Sequence, residues 1–187
     1  MFESGALFLS KKVFVMSIVS FARKPEKIML DLVKQTAKYP WFCRCDKYAK
    51  NYVFAGMASE WGELGGKLKK LYRDGGVINR LALAKELADY YWYVAAWYTE
   101  NMAENDFIAQ HEDPSYVEHK DELLPVDLLA IYCEQTECLM RGERQVNSIN
   151  CLATAMDFTL LQIADIAYAK LMARLKHGTI KGNGDDR

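Results

Sequence analysis

Glu60 and Glu63 stand three residues apart in the chain, and so do Glu86 and Asp89. Two side chains at that spacing on an α-helix lie roughly 60° apart on one face, about one turn along the axis. The point midway between the two pairs falls inside Asp74-Gly75-Gly76. A turn there would return the second helix antiparallel to the first and level all four carboxylates. Carboxylates held together repel one another unless a cation sits among them. An oxygen-only cluster suits hard divalent ions, Mg²⁺ above all, with Mn²⁺ as a substitute. Acidic pairs at helical spacing also occur as plain solvated surface. Here the neighbours are Trp61, Leu64, Leu87, Ala88, Tyr90 and Tyr91, which favour burial. Spacing and surroundings leave the metal site and the solvated surface evenly matched.

The elements that carry these acids can be read from their ends. A first helix is expected from about Tyr48 to Arg73, closed by Asp74-Gly75-Gly76 because glycine tolerates the left-handed backbone of a helix C-terminus. Asn79 is a suitable N-cap for a second helix, Leu81 to Met102. That helix is apolar around nearly its whole circumference and should lie buried between others. A buried helix carrying Glu86 and Asp89 must offset their charge, by ion pairing or by metal. Lys67 follows Glu63 by four residues and Lys70 continues the same stripe. They either pair with the carboxylates or meet a polyphosphate whose metals the carboxylates hold.

Around this hairpin the chain reads as all-α, with four or five helices. Pro25 starts a helix that runs to about Ala37, and Pro40 breaks it within Tyr39-Pro40-Trp41-Phe42. That aromatic cluster suits core or lid, with base stacking as the functional alternative. Residues 104–125, polar and acidic with Pro114 and Pro125, are expected to be a loop. A helix from about Val126 to Leu139, a loop from Arg141 to Asn150 and a last helix from Cys151 to Lys176 complete the chain. Residues 1–24 are set apart as a leader, in which Lys11 and Lys12 precede the apolar run Val13 to Ala22. That run is too short to span a bilayer. An ordinary cytoplasmic N-terminus that packs on the bundle or frays is preferred over a signal peptide, and over a functional start near Met16.

Composition narrows the classes further. The 187 residues suit one helical domain, over residues 25–187, with an extended connection at about 104–150. With 24 basic and 25 acidic residues the net charge is −1, which offers no field for nucleic acid. Five scattered cysteines are an odd number, better suited to reduced thiols in the cytoplasm than to a disulfide framework. None of the three histidines forms Glu-x-x-His, which argues against a di-iron bundle. No Gly-rich phosphate loop and no Ser/His/Asp order is present.

The two acidic motifs, E60-W-G-E63 and E86-L-A-D89, together with GMASEWGE, KLKKLYRDGG and KELADYYWYVA, resemble the MazG-like all-α nucleoside triphosphate pyrophosphohydrolases. TAKYP, Thr36 to Pro40, and AKLMARLKHGTIKGNGDDR at the C-terminus are similar to segments of small bacterial and phage members. The resemblance covers about two-thirds of the chain, with three separated segments in order. It departs at Ser59, where members often have Glu, and at Ala167, where they commonly have Asn.

The resemblance implies Mg²⁺-dependent cleavage of a ribo- or deoxynucleoside triphosphate to monophosphate and pyrophosphate, in nucleotide-pool control. Glu60, Glu63, Glu86 and Asp89 would be metal ligands and catalytic residues. Lys67, Lys70, Lys170, Arg174 and Arg187 are the candidates to meet the polyphosphate. The implied partners are the nucleotide and further copies of the chain, as homodimer or homotetramer, with no nucleic acid and no membrane. The rival expectation is a non-catalytic helical interaction module in which the acids pair with Lys67 and Lys70.

Overall fold

The computed structural model describes residues 23–112, 125–141 and 145–180. Among these are seven helices and no strand: α1 Pro25–Thr36, α2 Lys47–Asp74, α3 Arg80–Glu100, α4 Glu104–Glu112, α5 Pro125–Met140, α6 Gln145–Ala155 and α7 Leu160–Lys176. The chain is all-α, as its patterning requires. The leader up to residue 22 lies outside the described residues.

Local chemistry sets the ends of the first three helices. Pro25 occupies the first turn of α1, where a missing N–H costs nothing. Asp46 caps α2, its Oδ1 accepting from the Tyr48 N–H at 2.7 Å. Gly75 ends α2 with φ 64°, the left-handed conformation expected of it. Asn79 caps α3, accepting from the Ala82 N–H at 3.0 Å.

Helix α3 is the axis of the fold. Leu83, Ala84, Leu87, Ala88, Tyr90, Tyr91, Val94, Ala95 and Ala96 are all buried, and α1, α2, α4, α6 and α7 pack against it. Its contacts with α2 run in opposite senses along the two helices: Phe54 meets Trp97, Trp61 meets Tyr90 and Lys67 meets Glu86. Helix α5 lies across α2 and α6.

The architecture departs from the expected four or five helices within the long connection and after it. The stretch expected as a loop from residue 104 contains α4, because Phe107 is completely buried against Tyr91 and Tyr98 and draws a short polar segment onto the core. The loop expected at Arg141 to Asn150 is helical from Gln145, where Val146 and Ile149 are buried. The single helix expected from Cys151 to Lys176 is two helices, α6 and α7, bent by 95°. Asp157 takes φ 63° at the break. Thr159 restarts the helix with a capping box, its hydroxyl accepting from the Gln162 N–H while the Gln162 side chain accepts from the Thr159 N–H. Among the described residues no single helix is long and apolar enough to cross a membrane; α6 and α7 would pass only as a bent pair.

Candidate metal centre

The site is built where α2 faces α3. Glu60 and Glu63 extend from α2, and Glu86 from α3. One carboxylate oxygen of each lies within 4.8 Å of one of each of the others. Glu60 and Glu86 are half-buried. Ligand oxygens around one Mg²⁺ ion, at about 2.1 Å from it, are separated by roughly 3 to 4 Å. The three oxygens therefore need close by at most about 2 Å, within the reach of side-chain rotation, to share one ion, and the donor set is the hard, all-oxygen kind such an ion takes. The chemistry and the spacing fit.

Asp89 lies outside that trio. It is the next acid on α3, one turn beyond Glu86, and its Oδ2 takes the Lys170 ammonium from α7 at 2.5 Å. Burial pushes the Asp89 carboxyl up, the Lys170 hydrogen bond and charge pull it back, and the Glu86 charge raises it further. Arg174, one turn on from Lys170, adds its positive field at Asp89. Glu86 has its own cation: the Lys67 ammonium, from α2, bonds its Oε1. Of the five basic residues expected near polyphosphate, three thus reach the acids themselves or their field: Lys67, Lys170 and Arg174. Lys70 is exposed nearer the end of α2, where it helps Arg73 hold the Asp74 carboxyl below its ordinary value. Arg187 lies outside the described residues. At the two positions where the chain departs from the family pattern, Ser59 is exposed and Ala167 is buried.

Two features of the site were hidden in the sequence. The first is the anchoring of Trp61, between the two acids of α2. Its ring stacks on Tyr132 at 4.9 Å and 21°, and its Nε1 donates to Thr136 Oγ1 at 2.9 Å. Tyr132 in turn donates to the Trp61 carbonyl at 2.9 Å. Helix α5 thereby fixes the rotation of α2 that aims Glu60 and Glu63 at α3. The second is Tyr93, one turn beyond Asp89. Burial raises its hydroxyl pKa, with smaller contributions from Tyr52 and from the charges of Glu60 and Asp89. The i,i+4 spacing from Asp89 was the available signal.

Over 65 residues the chain is 46% identical to a protein described as "Gene 37 protein" of Mycobacterium phage L5, a stretch that is 32% of this chain and 57% of that protein. The chain thus spans somewhat over half the length of the curated relative it matches. No family model and no solved structure matches the chain.

Proposed function

We propose that the protein is a Mg²⁺-dependent nucleoside triphosphate pyrophosphohydrolase of the MazG-like kind, acting on the nucleotide pool of the cytoplasm. The observation that carries this reading is the trio Glu60, Glu63 and Glu86, offered by two facing helices with ligand oxygens inside 4.8 Å. It stands in the two acidic motifs on which the family resemblance rests.

In this reading the antiparallel pair α2 and α3 is the frame of the site. Glu60, Glu63 and Glu86 would hold the ion, and Asp89, now paired with Lys170, would be the fourth carboxylate available to it. The chemistry a divalent ion supplies there is charge neutralisation at phosphate oxygens and acidification of water. Lys67, Lys170 and Arg174 orient the triphosphate by its charge. Water attacks the α-phosphorus in line, the bridge from α-phosphorus to the β-phosphate oxygen breaks, and pyrophosphate leaves. A site carboxylate takes the proton of the attacking water and passes it to solvent. A homodimer or homotetramer is part of the same proposal, drawn from the resemblance.

The ion pairs favour one rival. Lys67 on Glu86 and Lys170 on Asp89 would also serve a non-catalytic helical module, in which the acids are only structural partners. One experiment separates the two. A panel of ribo- and deoxynucleoside triphosphates with Mg²⁺ is scored for both products. Monophosphate and pyrophosphate in equal amounts support the enzyme. Diphosphate with orthophosphate, or no turnover across the panel, overturns it.

A further inference from the structure

Glu86 and Asp89 of α3 each already have a cation, and each cation comes from a different helix. Lys67 reaches across from α2 to Glu86, and Lys170 reaches in from α7 to Asp89. The acids are the buried members of these pairs: the Glu86 and Asp89 side chains are 14% and 16% exposed, against 45% and 27% for Lys67 and Lys170. The lysines can therefore swing outward on flexible stems, while the carboxylates stay with the helix.

Two ammonium groups at the edge of the cluster repel a divalent cation. A lysine that leaves without replacement strands a largely buried carboxylate. An ion that enters without the lysine leaving crowds like charges. Both costs vanish when cation and polyphosphate arrive together, because the cation takes the carboxylate and the phosphate takes the lysine.

We propose that Lys67 and Lys170 are displaceable counterions that hold the α3 acids when no metal is bound and transfer to the polyphosphate on substrate entry. Divalent-ion binding and anion binding are thereby coupled in this site. The inference rests on the metal-site reading given above and adds to it the control of the ion by the substrate.

The test is a calorimetric titration with Mg²⁺ alone, on the wild type and on Lys67→Met, Lys67→Arg and Lys170→Met. Removing either ammonium should tighten the Mg²⁺ Kd by about tenfold or more, while Lys67→Arg keeps the weak wild-type value. Methionine preserves the apolar stem, and Lys67 is the more exposed of the two, so Lys67→Met decides the question should Lys170→Met fail to fold by circular dichroism. Equal Mg²⁺ affinity in the wild type and the methionine variants overturns the counterion role and leaves the metal site standing. No Mg²⁺ binding by any of the four proteins overturns the inference together with the reading beneath it.

Discussion

The Tyr132 hydroxyl donates to the carbonyl oxygen of Trp61 at 2.9 Å, passing over Gly65 so closely that a Cβ there would come within 2.4 Å of it. The hydrogen bond and the ring stack leave Tyr132 little freedom to retreat. The neighbouring Gly66 has nothing within 4 Å of its would-be Cβ. Adjacent glycines in one helix should therefore answer alanine with opposite signs. Gly66→Ala should stabilise by about 0.5–1 kcal/mol through helix propensity and lost chain entropy. Gly65→Ala should destabilise by about 1–2 kcal/mol, overpacking outweighing the same gain. Urea unfolding of the two variants checks this, and a stabilised Gly65→Ala would contradict the anchoring of α5 on α2.

Glu100 is fully buried at the end of α3 and accepts from the Tyr39 hydroxyl at 2.7 Å and from the Cys43 N–H at 3.1 Å. Its second oxygen has no hydrogen-bond partner among the described residues. The first oxygen thus carries the whole compensation for the buried group. Tyr39→Phe should cost about 1.5–3 kcal/mol, the range for a hydrogen bond to a charged group. A loss under about 0.5 kcal/mol in thermal unfolding would show that the pair contributes little.

His111 gives the fold a pH dependence of determinate sign. Its Nδ1–H donates to the Phe107 carbonyl at 2.7 Å, which leaves Nε2 to accept from the Tyr91 hydroxyl. Burial lowers its pKa below the ordinary 6.5, while the Phe107 carbonyl and the Glu26 charge partly oppose the shift. The unfolded chain therefore binds the proton first, and stability falls as pH drops below 6.5. Asp89, shifted upward, has the opposite slope, but it is common to wild type and variant. Urea midpoints at pH 7.5 and 5.5 should fall further for wild type than for His111→Gln. Equal falls would remove the buried neutral imidazole from the account.

Sequence carries the parts of this fold that rest on local chemistry. Pro25, Gly75 and Asn79 mark helix ends because each satisfies a terminal backbone group or conformation by itself. Helix α4 was not legible, since nine mostly polar residues become a helix only because Phe107 finds a pocket made by distant aromatics. The break between α6 and α7 did leave a signal, Thr159 three residues before Gln162, masked by the mostly apolar residues on both sides. At the site, spacing could align Glu60 with Glu63 and Glu86 with Asp89, and a turn could bring the pairs level. Which lysine meets which acid depends on the rotation of α2 and on the docking of α7. Both are set by long-range packing through Trp61, Tyr132 and the buried face of α7.

The most direct measurement is the melting temperature of the wild type and of Glu86→Gln, with and without Mg²⁺ at a hundredfold excess over its Kd, together with turnover of a nucleoside triphosphate. A bound ion at that excess stabilises the folded state by about 2.7 kcal/mol, so the wild type should gain several degrees in melting temperature. Glu86→Gln should melt without Mg²⁺ within about 1 kcal/mol of wild type, gain little from the ion and lose turnover. Identical wild-type melting curves with and without Mg²⁺, joined to normal turnover in Glu86→Gln, would contradict the claim that these acids form one metal site.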